Sequence, residues 1–181
     1  MRVVIVPSTL ALLPEYASID DPVPELRRAV RAAVDWLVAD GPAAALAASP
    51  GARRIAVHLL GPGDRPATPG GWPDETGSVG TTAGLLVVAN GSATRTEKAP
   101  GHFDDRAAAF DAAIGKALAD GDPAGLAGID LAVADELWAL PDADVLRTLS
   151  ERVGPVTDGQ VDYDDAPYGV QYWVVRWQCA S

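Results

Sequence analysis

Three apolar runs punctuate the chain: RVVIV at Arg2 to Val6, RIAVHLLG at Arg54 to Gly61, and LLVVANG at Leu85 to Gly91. Unbroken runs of this kind predict strands buried on both faces, because a strand with one wet face would alternate apolar with polar residues. Between the first two, PELRRAVRAAVDWLVADG sets Leu26, Val30, Val34 and Leu37 at helical spacing, with Pro24 in its first turn and Gly41 as its stop. After the third, DDRAAAFDAAIGKALADG repeats that grammar. Asp104 or Asp105 is its cap, Phe110, Ile114 and Ala117 share a face, and Gly121 ends it.

Two shorter helices follow, LAVADELWAL and DADVLRTLSERV, with Asp130 and Asp142 as cap candidates. The segment GQVDYDDAPYGVQYWVVRW reads as two strand-like pieces around a turn at Pro167 to Gly169. Val170, Tyr172 and Val174 alternate imperfectly with Gln171 and Trp173, so the last strand is expected to be covered on both sides. Residues 61 to 84, rich in Gly and Pro, carry little periodicity and predict a long loop. The order strand, helix, strand implies right-handed crossovers. The fold class expected is α/β: a single three-layer α/β/α domain over residues 1–181 with a mostly parallel central sheet.

Composition narrows the setting. A chain of 181 residues, 48% apolar and 22% charged, fits one folded domain and lies far from the disordered regime. A formal charge of -11 repels polyanions and anionic lipid, which argues against nucleic acid and membrane partners. Pro7 and Pro14 interrupt the apolar start, which reads as a first strand and not a signal peptide. The lone Cys179 forms no intrachain disulfide, and a cytoplasmic location fits.

Ligands of an open parallel sheet sit outside the carboxyl ends of its strands, where loops converge and helix N–H groups point inward. That places GSATRTEKAPGHFDD, after the third run, at the functional edge. Within it Arg95 and Lys98 stand beside Ser92, Thr94 and Thr96, a set able to grip a carboxylate or phosphate. The other reading is a polar cluster in which the two cations neutralise Glu97 and nearby aspartates; both stay open. Ser8 and Ser92 are read as hydrogen-bonding hydroxyls, since NGSAT lacks the second glycine of a nucleophile elbow and no histidine is paired with it. Tyr168 and Tyr172 line a pocket or belong to the core. Gly169 marks a tight turn or close approach. Trp36, Trp138, Trp173 and Trp177 are expected in core or interface, with Trp72 as a cover for the pocket.

Two stretches, GLLVVANGSATRTEKAPGHFDDRAAAFDAAI and YDDAPYGVQYWVVRW, resemble the bacterial class III extradiol ring-cleavage dioxygenase family. The opening VPSTLALLPE and the strand order are similar too, so the resemblance covers most of the chain. It implies a fold that, in catalytic members, holds non-haem ferrous iron by two histidines and a carboxylate, open to a catechol and dioxygen. At the position the resemblance implies for the first ligand histidine stands Ser8. The second maps to the Gly63 and Asp64 region, and the acid-base histidine to Thr94 or Arg95. The chain's histidines are His58, expected inside a strand, and His102.

The expectation is therefore an iron-free relative with no cofactor and no assigned catalytic residue. It would bind a small anionic or aromatic ligand through Ser8, Ser92, Thr94, Arg95, Lys98 and Tyr168. Two alternatives stand beside it. One is a metal-dependent, ring-cleavage-like oxidoreductase with Fe(II) or another divalent metal in a site rebuilt from Asp64, Glu97, His102, Asp164 and Asp165, beside Asp162. The plainer readings of those residues are helix cap, surface loop and solvated turn. The other is a non-catalytic assembly component, acting in a homo-oligomer or with a second, smaller protein, which a large exposed aromatic patch would favour.

Overall fold

Arg2–Val6 is a strand, β1, whose Val3, Val4, Ile5 and Val6 are all fully buried, as an unbroken β-branched run requires. It pairs in parallel with β3, Gly84–Val88, which pairs in parallel with β2, Ala43–Leu46. On its other side β1 pairs antiparallel with β5, Tyr172–Cys179, and β5 with β4, Val156–Asp165. The order is β2-β3-β1-β5-β4. The computed structural model describes residues 1–16, 21–61 and 83–180, so Gly63, Asp64, Trp72 and most of the expected long loop lie outside the described residues.

The sheet corrects the expectation of a mostly parallel arrangement: it is mixed and mainly antiparallel. The cause is local. The turn through Pro167 and Gly169 joins β4 directly to β5, and only antiparallel strands can be joined so closely.

A second correction concerns RIAVHLLG, which belongs to a helix, α2, Pro50–Leu60. Ser49 caps it, its hydroxyl accepting from the Ala52 N–H at 3.0 Å, and Pro50 fills the first turn. Ala52, Ile55 and Ala56 are buried while Arg53, Arg54, Val57 and His58 face outward, a helical division and not an alternating one. His58 is therefore on an exposed helix surface. The second strand comes instead from AAAL, whose alanines carry no strand signal; pairing of Ala44 with Leu85 and Ala45 with Leu86 makes it one.

Helix α1, Pro24–Val38, buries Leu26, Val30, Ala33, Val34 and Leu37 on the expected face. With α2 it packs against the sheet side carrying Val4, Val6, Leu86, Val88 and Val174. Helices α3 (Ala107–Asp120), α4 (Pro123–Ala127), α5 (Leu131–Glu136) and α6 (Asp142–Ser150) contribute Ile114, Leu118, Leu126, Ala134 and Leu146 to the core around Val3, Ile5, Val87 and Val175. Trp173 and Trp177 are buried there, and the Trp177 indole N–H donates to the Leu118 carbonyl at 2.8 Å. Trp36 is half-buried, with the Arg2 guanidinium 4.8 Å from its ring centroid.

Gly121 ends α3 in the left-handed region, and Asp130 caps α5 by accepting from the Ala132 and Val133 N–H groups. The other cap expectations fail. Asp104 precedes the helix entrance by a turn and binds Arg106, and Asp142 lies inside α6 with its carboxylate turned to other partners. No described helix is long and apolar enough to cross a membrane.

Candidate functional site

Two hydrogen-bonded clusters stand where β1 and β3 end and β5 begins. In the first, the Ser8 N–H donates to Asn90 Oδ1 at 2.8 Å, and the Asn90 N–H donates to Asp142 Oδ2 at 2.9 Å. The Ser8 hydroxyl donates to the same Asp142 oxygen. A single carboxylate at the start of α6 thus ties together the ends of two neighbouring strands. Asp142 is buried, and desolvation pushes its carboxyl above the ordinary range, opposed by the bonds from Ser8 and Asn90.

That direction has a consequence for stability. A carboxyl raised in the folded state contributes stability below its unfolded value and loses it as pH rises through the folded value. Both donors converge on one oxygen, so an amide can present its carbonyl to them and keep both bonds. Asp142→Asn is therefore expected to match or exceed the parent's stability at about pH 7 and to lose that advantage near about pH 4. Urea unfolding at the two pH values measures it, and a variant much weaker at neutral pH would contradict the account.

The second cluster is built on Asp111 of α3, whose side chain is 1% exposed. Its Oδ1 accepts the Ser92 N–H at 2.8 Å, and its Oδ2 accepts the Ser92 hydroxyl at 2.6 Å and Arg95 Nη1 at 3.3 Å. Nη1 also donates to Gln171 Oε1 at 3.1 Å, and Gln171 Nε2 donates to Asp164 Oδ1 at 2.7 Å. Burial raises the Asp111 carboxyl, opposed by Ser92 and Arg95. The backbone is stitched along the same line: Gly91 N–H to Gln171 O and Gln171 N–H to Ser92 O, each 2.9 Å, then Arg95 N–H to Gly169 O at 3.0 Å. The loop after β3 is therefore held as a short extension alongside the entry to β5.

The expected ligand residues do not all meet. Ser92 and Arg95 share one cluster, and Ser8 joins the neighbouring one through Asn90. Thr94 is 2% exposed and its hydroxyl has no hydrogen-bond partner among the described residues, while its carbonyl accepts the Asp104 N–H at 3.1 Å. Lys98 is exposed. Tyr168 is exposed as well, its hydroxyl donating to the Pro22 carbonyl at 3.1 Å, and Tyr172 is buried. Sequence reasoning missed Asn90, Asp111 and Gln171. Asp111 had a signal: it falls between Ala107 and Ile114 on the buried face of an otherwise apolar helical stripe.

The carboxyl edge does not fit a ferrous centre of the two-histidine type. Ser8 donates its hydroxyl to a carboxylate that already accepts the Asn90 N–H, and the residues after β2 are Ala47, Ala48 and the helix cap Ser49. His58 and His102 are exposed on separate elements. Among the alternative ligands, Glu97, Asp164 and Asp165 are exposed. Asp164 is engaged by Gln171, and Asp165 accepts the Ala166 N–H. Among the described residues no three His, Cys, Asp or Glu side chains are grouped to hold a metal. A cavity of about 190 Å³ lies between α1 and α2, lined by residues including Val30, Arg31 and His58; none of the expected ligand residues lines it.

Comparison of the chain with protein-family models, curated proteins and solved structures gave no match.

Proposed function

We propose that the protein is an iron-free relative of the class III extradiol dioxygenases that binds a small anionic or aromatic ligand at the carboxyl edge of its sheet. The observation that carries this reading is the state of Arg95. Its Nη1 is anchored on Asp111 and Gln171, while its side chain is 29% exposed and no described group bonds Nη2 or Nε. A guanidinium fixed at one nitrogen and open at the others is prepared for a two-point grip on a carboxylate. Ser92 serves as a positioning residue for Asp111 and hence for Arg95, and Lys98 adds positive potential at the rim. Helix-borne cores on both sheet faces support the three-layer arrangement of that family. A reducing cytoplasm is the proposed setting.

The test is ligand-induced thermal stabilisation with benzoate, catechol and inorganic phosphate as probes. A Tm rise in the parent protein should vanish in Arg95→Ala and shrink in Arg95→Lys, whose point charge lacks the planar fork. The change on adding probe is compared, not the absolute Tm, because Arg95→Ala also unpairs Asp111. A probe that binds Arg95→Ala equally well overturns the assignment. Near-stoichiometric metal in tag-free protein supplied anaerobically with Fe(II), read by elemental mass spectrometry, would replace it with the metal-dependent alternative.

A further inference from the structure

Trp138 follows the last turn of α5 with φ 56°, the left-handed slot that closes helices and that glycine ordinarily fills. For so bulky a residue this conformation is strained. Burial does not offset the strain: 59% of Trp138 is exposed, the largest value among the large apolar side chains described. The helix end itself needs only backbone, the Ala139 N–H donating to the Ala134 carbonyl at 2.8 Å and the Trp138 N–H to Asp135. A strained, exposed indole in a position where glycine would be cheaper points to a use outside the fold.

The indole is not isolated. Its Cδ2 lies 3.3 Å from where a Cβ on Gly101 would sit, two residues before Phe103, which is 52% exposed. Arg106 Nη1 bonds Glu136 at 2.7 Å and closes the base between the two segments. The rim is acidic. Asp104 and Glu136 share Arg106, while Asp105 and Asp135 are exposed with no partner among the described residues. An aromatic face ringed by unpaired carboxylates attracts a cation that also carries apolar surface.

We propose that Trp138 and Phe103 form a docking surface for a basic segment of a partner protein, with a lysine or arginine side chain over the Trp138 ring and flanking apolar residues against Phe103. A second copy of this chain is disfavoured as occupant, since a two-fold contact would set the acidic rims face to face. Polyanions and anionic membranes are repelled by the same charge. The surface is independent of Arg95 and does not rest on the ligand-binding reading.

The probe is the blocked peptide Leu-Arg-Ala-Arg-Leu, followed by the indole N–H resonances in a two-dimensional NMR titration, with Leu-Glu-Ala-Glu-Leu as control. The resonance lost in Trp138→Gly should shift saturably with the arginine peptide alone. Affinity should fall roughly tenfold in Trp138→Gly and in Trp138→Ala, and the combined Asp105→Asn, Asp135→Asn variant should weaken the salt dependence. Glycine suits the backbone here, so Trp138→Gly is expected to keep or raise Tm. Undiminished peptide binding in Trp138→Gly overturns the proposal, as does a large loss of Tm, which would make the indole structural. A concentration-dependent dimer abolished by Trp138→Gly would also overturn it, by making a second copy the occupant.

Discussion

Asp111→Ala is expected to destabilise the protein by about 3–5 kcal/mol, measured by urea unfolding at neutral pH. The carboxylate is almost wholly buried and receives three hydrogen bonds, from the Ser92 N–H, the Ser92 hydroxyl and Arg95. Removing it orphans a buried backbone donor, which alone costs about 1–3 kcal/mol, and leaves Arg95 with Gln171 as its remaining partner. Asp111→Asn should recover only part of the loss. Here the donors are spread over both oxygens, so whichever end becomes the amide nitrogen faces a donor with a donor. The serine hydroxyl can rotate to accept, but a guanidinium or a backbone N–H cannot.

The two buried aspartates therefore answer the same substitution in opposite ways, Asn tolerated at Asp142 and harmful at Asp111, for a reason visible only in where the donors land. Burial raises both carboxyls, so burial alone predicts no such split. If Asp111→Asn proved neutral at pH 7 and Asp142→Asn did not, the donor geometry would be wrong at both sites. The pH direction of the Asp111 contribution follows its raised value: present at low pH and lost as pH climbs through the folded value.

What the sequence could and could not reveal follows from whether a residue's role is set by near or distant neighbours. RVVIV and LLVVANG were legible as strands because β-branched runs without polar interruption have few other uses, and both proved central. The helix from Pro24 and the helix ending at Gly121 were legible from spacing and caps. RIAVHLLG misled because a buried helix segment and a buried strand share an apolar appearance; the deciding signal was Ser49-Pro50, a helix start four residues upstream. AAAL was invisible, since its strand character comes wholly from β3 beside it. In the site, Ser92 and Arg95 were found as residues of a polar loop, yet their partners Asp111 and Gln171 lie 16 and 76 positions from Arg95. No local pattern connects them, although a charge on an apolar helical stripe marked one of the two.

Gly169→Ala is expected to cost about 3 kcal/mol, and Gly61→Ala only about 1 kcal/mol, although the two glycines have nearly the same backbone φ. Their φ values are 71° and 78°, so the penalty for placing a Cβ in that region is shared. Around Gly61 nothing lies within 4 Å of an added Cβ. Around Gly169 the same methyl would sit 2.6 Å from Ala99 Cβ, 3.0 Å from Ala99 Cα and 2.5 Å from the Thr96 hydroxyl, and a backbone atom cannot rotate aside. The difference between the variants isolates crowding from conformation, by unfolding measurements on both. Because the Gly169 carbonyl accepts the Arg95 N–H, the crowded variant should also displace Arg95 and weaken probe binding, whereas Gly61→Ala should leave it intact. Equal losses in the two variants would mean that the loop carrying Thr96 and Ala99 yields to the methyl, and that the grip on Arg95 is looser than its hydrogen bonds suggest.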